Sequence, residues 1–268
     1  MTMTILAPVR TVLAATRRHG VQALLMGGQA CIVYGASEFS RDVDLAIFAG
    51  PDNLSRLNAA LEDLQAHVAA VPPFTEAFLA RGHAVHFRCA AAADMRLDVM
   101  SVMRGVPRFE ECWKRRSVFA LEGVGDVDIL GLEDLVAAKK TRRDKDWPMI
   151  RRLVDVHYRD FADAPTHQRI AFWLRELRTP ETLLDLVGRV PEVAKRMAGQ
   201  REPISTALSV VAGRGSLSAL RMSLAAEEDR ERAVDDLYWQ PLLQELESLR
   251  HAHRRDGAPP PEFGGPVR

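Results

Sequence analysis

Two carboxylates, Asp42 and Asp44, stand at alternate positions in the otherwise apolar stretch DVDLAIFA. On a strand, positions i and i+2 project from one face, so the two acids lie side by side. Like charges at that range repel, and partial burial strengthens the repulsion. A divalent cation removes it, because Mg²⁺ takes hard oxygen ligands, typically one or two carboxylates together with substrate phosphate. A third acid, Asp98 in MRLDVMS, lies between Leu97 and Val99 and so faces away from the apolar side of its own strand. If that strand pairs with the one carrying Asp42 and Asp44, three carboxylates converge, which is the equipment of two-metal phosphoryl transfer. The competing reading of Asp98 is a salt bridge to Arg96, two residues away on the same face. Upstream, Gly27-Gly28 falls between an apolar run and a helical one. There the missing side chains let a phosphate approach the backbone, and a helix N-terminus offers N–H donors with a positive partial charge. Taken singly, a Gly pair reads as a tight turn and a D-x-D as a solvated strand end. Their order carries the chemistry.

The elements that must hold these residues follow from the pattern. Pro8 to His19 reads as a helix with Gly20 just past its end, and VQALLM as a short buried strand. A helix runs from the Gly pair to about Tyr34, VDLAIFA is a strand, and a helix spans Pro51 to about His67. HAVHFRCA and MRLDVMS are strands joined by an Ala-rich turn, and Phe109 to Arg115 is a short helix. SVFALEGV and VDILG are late strands, the second feeding the helix LEDLVAAKKTRR. Alternating strands and helices predict an α/β (α+β) domain with a small mixed sheet, here taken as residues 1–160. From about Phe161 the stretches are amphipathic and helical, with breaks near Pro180, Pro191, Pro203 and Gly213-Gly215, so residues 161–253 are expected to form a helical second domain. The remainder, 254–268, is rich in Pro and Gly and is expected to be disordered.

Composition is that of an ordinary globular chain: 268 residues, 47% hydrophobic and 27% charged. With 36 basic and 36 acidic residues the formal net charge is zero, so whole-protein charge gives no argument for nucleic-acid binding, although local patches can. Cys31, Cys89 and Cys112 are odd in number and widely spaced, which suits neither a disulfide framework nor a zinc site. No apolar run reaches the roughly 20 residues of a membrane span, and MTMTILAPVR lacks the plan of a secretory signal. A cytoplasmic protein is expected. His83 and His86, three apart on one predicted strand, point to opposite faces and cannot share a metal.

The sequence Gly-Gly, helix, Ser40, Asp42-x-Asp44, then an isolated acid on a later strand resembles the nucleotidyltransferase superfamily of the polymerase-beta type, over roughly Val21 to Ser101. The run LEDLVAAKKTRRDKDW extends the likeness to about Leu153. It looks like the Lys and R-x-K-D segments of the abortive-infection branch, whose members are the toxins of certain bacterial toxin–antitoxin pairs. The resemblance implies the nucleotidyltransferase fold and transfer of a nucleoside monophosphate from a nucleoside triphosphate to an acceptor, with release of pyrophosphate. Asp42, Asp44 and Asp98 would be both the catalytic acids and the ligands of Mg²⁺ or Mn²⁺. Gly27, Gly28 and Ser40 would bind phosphate, with Arg41 serving the same area. Lys139 or Lys140, with Arg143 and Lys145, would steady the triphosphate charge, and Asp146 would orient the lysine or the arginine. The implied acceptor is a tRNA 3′ end or a protein side chain, and the implied partner a cognate antitoxin. Two further readings stay open: transfer to a small molecule such as an aminoglycoside or lincosamide antibiotic, and a nucleotide-binding module of the same fold without turnover.

Overall fold

The computed structural model describes residues 5–37 and 39–255. These residues pack as two compact units, one made of those up to Ala138 together with those from Tyr238 onward, the other Lys139–Leu237.

The first unit is built on a seven-stranded mixed sheet, the α/β architecture expected from the alternating pattern. Its strands are β1 (Ala23–Met26), β2 (Asp42–Ile47), β3 (Ala66–Val68), β4 (Val85–Cys89), β5 (Met95–Met100), β6 (Ser117–Leu121) and β7 (Gly125–Ile129). They lie in the order β3-β4-β5-β2-β1-β7-β6. The β2–β5 and β1–β7 pairs are parallel and the others antiparallel. Val43, Leu45, Leu97, Val99, Val85 and Phe87 alternate with the polar residues of the three neighbouring strands β2, β5 and β4, and all are buried. Side chains of period two therefore sort into one dry face and one polar face.

Helix α1 (Ala7–Arg18) precedes the strands, α2 (Gly27–Val33), α3 (Pro51–Asp63), α4 (Glu76–Ala80) and α5 (Phe109–Lys114) lie between them, and α6 (Leu132–Lys139) follows the last. α1 packs on α3, β2 and β5, while α2 lies against β1 and β2. Pro8 and Pro51 stand in the first turns of α1 and α3, where a missing N–H costs nothing. The structure corrects the sequence reading after α3. The helix expected to reach His67 stops at Asp63, Gln65 takes a positive φ of 48°, and His67 belongs to the short edge strand β3.

The second unit is helical: α7 (Asp146–Phe161), α8 (His167–Glu176), α9 (Pro180–Arg189), α10 (Pro191–Met197), α11 (Glu202–Val211) and the first half of α12 (Leu217–Arg255). The prolines that read as breaks, Pro180, Pro191 and Pro203, each sit in a first helical turn. α7 lies on the N-terminal side of the expected boundary at residue 160 and belongs to this helical unit. Beyond Leu237, α12 belongs to the first unit, where its Glu245 accepts from His83 at 2.6 Å and pairs with Arg81 at 2.9 Å. Of the tail expected at 254–268, Arg254 and Arg255 end α12 and the rest lies outside the described residues. No helix among the described residues is long and apolar enough to cross a membrane.

Candidate active site

Strand register places the acids. In the parallel β2–β5 pair Asp44 stands opposite Asp98, and Asp42 opposite Arg96. In the antiparallel β4–β5 pair His86 stands opposite Asp98 and Arg88 opposite Arg96. Residues opposite one another share a face, so two adjacent rows form, Asp44–Asp98–His86 and Asp42–Arg96–Arg88, on strands roughly 4.8 Å apart. The register thus sets Asp42, Asp44 and Asp98 at neighbouring positions on one face of the sheet.

Their surroundings differ. Asp98 is 8% exposed. Its Oδ1 accepts from Arg96 Nε at 2.7 Å and lies 2.8 Å from His86 Nδ1. The same ring nitrogen is 3.1 Å from an Arg96 terminal nitrogen, so it donates to the carboxylate in one tautomer and accepts from the guanidinium in the other. Burial alone would raise the Asp98 pKa, but the hydrogen bonds and charges of His86 and Arg96 outweigh it and hold the carboxyl below its usual range. Burial opposes the charge on Arg96 as well. Asp98, followed by Asp42 and Asp44, more than compensates and raises its pKa. The salt bridge weighed as the competing role of Asp98 is therefore present, and Arg96 feels all three acids.

Asp42 and Asp44 are half-buried. The Asp42 carboxylate has no hydrogen-bond partner among the described residues, whereas its backbone carbonyl accepts from Ser40 Oγ at 3.3 Å and from Gln29 Nε2 at 3.4 Å. Buried Gln29 also holds the Ser40 carbonyl at 3.2 Å, so α2 fastens the loop that leads into β2. The Gly pair is required here by close approach. A Cβ on Gly27, whose φ is +65°, would stand 1.8 Å from Asp44 Oδ2, and one on Gly28 would stand 2.4 Å from Ser40 Oγ. Gly27 thus lets the start of α2 close over Asp44, and Gly28 does the same for Ser40. Arg41 is exposed, its guanidinium 5.9 Å from the Phe39 ring centroid.

The donor chemistry fits a hard divalent cation at Asp42 and Asp44: two carboxylates on one face, one of them without an internal partner. No three His, Cys, Asp or Glu side chains among the described residues are grouped to hold an ion unaided.

The basic segment lies in the helical unit apart from these strands in the sequence, and most of its charges meet acids there. Lys139 Nζ donates to Asp146 Oδ1 at 3.0 Å, while Thr141 Oγ1 and Arg143 Nε donate to Oδ2 at 2.6 and 2.8 Å. The Asp146 side chain is fully buried and that of Lys139 is 9% exposed. Lys140 pairs with Glu176 and Arg142 with Asp236. Lys145 is exposed and makes no ion pair among the described residues.

His86 is the residue that sequence reasoning missed. It was considered only as a partner of His83, which precedes β4 and turns to Glu245 instead. The hairpin held the signal. Its strands close at Cys89 and Met95, and three positions further along each strand His86 meets Asp98.

No family model matches this chain, and no curated protein does. Among solved structures, a candidate nucleotidyltransferase from H. pylori is similar at 14% identity, over 85% of this chain and 93% of that one, with a TM-score of 0.36. JHP933 from Helicobacter pylori is similar at 15% identity, over 88% and 94% of the two chains, with a TM-score of 0.33.

Proposed function

We propose that this protein is a Mg²⁺- or Mn²⁺-dependent nucleotidyltransferase that moves a nucleoside monophosphate from a nucleoside triphosphate to an acceptor and releases pyrophosphate. One observation carries the reading: Asp44 and Asp98 stand in register on adjacent parallel strands, with Asp42 one pleat away on the same face. Asp42 and Asp44 would hold the cation, which when bound supplies charge neutralisation for the triphosphate and acidifies the acceptor hydroxyl. Asp98, fixed by Arg96 and His86, serves the acceptor side and orients that hydroxyl by accepting its hydrogen bond. Ser40 and the backbone at Gly27 and Gly28 line the start of α2 and are the proposed phosphate contacts, with Arg41 beside them. In the basic segment, exposed Lys145 carries the proposed phosphate contact, while Lys139 and Arg143 are both held by Asp146.

The acceptor proposed from the sequence resemblance is a tRNA 3′ end or a protein side chain, in a toxin setting with a cognate antitoxin. The test of the core reading is calorimetric titration of nucleoside triphosphate with Mg²⁺ or Mn²⁺ into wild type and into Asp42→Ala/Asp44→Ala. Metal-dependent nucleotide binding is expected in the first and absent from the second. Equal binding by both ends the reading.

A further inference from the structure

Three carboxylates on one sheet face need a counter-charge even with no ligand bound. Asp44 and Asp98 are direct cross-strand neighbours, an arrangement that like charges destabilise. Arg96 is the fourth corner of the group. It stands opposite Asp42 in register, one pleat from the Asp44–Asp98 row. Its Nε reaches Asp98 Oδ1 at 2.7 Å and its terminal nitrogen comes within 3.1 Å of His86. A guanidinium keeps its charge at any working pH, so this compensation is permanent.

We infer that Arg96 is the resident counter-cation of the carboxylate cluster, and that a divalent cation binds there only by displacing its charge from the three acids. The inference rests on the proposed cation site at Asp42 and Asp44. A dication entering that site meets a fixed positive charge already bound to the neighbouring carboxylate. Arg96 must therefore swing away from the acids as the ion enters. The Arg96 side chain is 31% exposed, so its head has solvent to turn into. Metal affinity is then set by the exchange of one cation for another rather than by the acids alone.

Mn²⁺ binding without nucleotide, followed by the paramagnetic resonance of the free ion, tests this on the full chain. Arg96→Met is expected to bind Mn²⁺ about tenfold more tightly than wild type, a change of about 1.4 kcal/mol. Arg96→Lys, which keeps the charge, should stay within about threefold of wild type. Asp42→Ala/Asp44→Ala in the Met background should abolish the gain. In chelator Arg96→Met should unfold at lower urea than wild type and recover on adding Mn²⁺. Unchanged or weaker Mn²⁺ affinity in natively folded Arg96→Met overturns the inference. So does an Arg96→Met protein that no Mn²⁺ concentration restores while Arg96→Lys folds normally, since Arg96 would then be a structural ion pair alone. Transfer of labelled nucleotide by wild type separates the two readings. Transfer with no Mn²⁺ effect at Arg96 defeats this inference only, and the expected Mn²⁺ effect with no nucleotide binding defeats the proposed function only.

Discussion

Gly27→Ala isolates one contact on which the site depends. Gly27 has φ +65°, a region that costs an L-residue about 1–2 kcal/mol. The new methyl would also stand 1.8 Å from Asp44 Oδ2, 2.4 Å from Cγ and 2.8 Å from Cβ. Rotating the carboxylate clears the first two contacts. The third is fixed to the β2 backbone, so strand or helix must shift. Overpacking of this kind costs about 1–3 kcal/mol, giving a total of about 2–5 kcal/mol with the backbone strain. Urea denaturation of the single variant measures the sum, and the same substitution in an Asp44→Gly background separates its parts. With the Asp44 side chain gone only the backbone strain is left, so the cost should fall to about 1–2 kcal/mol. Gly28→Ala is the companion, because its methyl meets Ser40 instead and its backbone is unstrained. It should spare metal-dependent nucleotide binding more than Gly27→Ala does. A Gly27→Ala protein as stable as wild type, or one equally destabilised in both backgrounds, refutes the packing of Gly27 on Asp44.

Asp146→Ala should destabilise the helical unit by about 3–5 kcal/mol in urea, because it strands the buried ammonium of Lys139. Burial favours protonation of Asp146, but the charges of Lys139 and Arg143 prevail and lower its pKa. A depressed carboxylate contributes stability in full above its unfolded pKa of about 3.9 and loses it as pH falls through the lower folded value. The wild-type urea midpoint should therefore drop more steeply below about pH 4 than that of Asp146→Ala, and parallel curves would rule the linkage out. Arg142→Ala/Arg143→Ala should leave the salt dependence of tRNA-pool binding nearly unchanged, since Arg142 and Arg143 already pair with Asp236 and Asp146. A steep salt slope that flattens in the variant would instead show that these arginines contact phosphate.

How much of this was legible in the sequence depended on the range of the interaction. Asp42, Asp44, Val43 and Leu45 sort by a period of two within one strand, so their common face could be read from spacing alone. The Gly pair was legible as a turn. That Gly27 closes over Asp44, and Gly28 over Ser40, depends on how α2 lies against β2, which the spacing does not encode. Asp98 was legible as an acid on the polar face of β5. Its hold on Arg96 was visible two residues away, but its tie to His86 needed the register of the β4–β5 hairpin. That register turns on a five-residue connection in which Ala93 and Asp94 both take positive φ, something few sequences announce and an alanine run least of all.

The basic run was legible only as charge. Lys140, Arg142 and Arg151 meet Glu176, Asp236 and Glu228, acids far along the chain that no local window joins to them. Asp146 is nearer, yet nothing in RRDKDW tells the fully buried Asp146 from the largely exposed Asp144 beside it. The helical period separates the two once α7 is known to begin at Asp146, because Asp146, Trp147, Ile150, Leu153 and Val154 then fall on the buried stripe. A carboxylate on that stripe must be paired, and Lys139 at the end of α6 pairs it. The two acidic sites thus solve the same electrostatic problem in different ways. In the helical unit each buried charge has its partner and the result is stability. On the sheet face Arg96 and His86 hold Asp98, while the Asp42 carboxylate makes no hydrogen bond among the described residues and is the charge a cation can use.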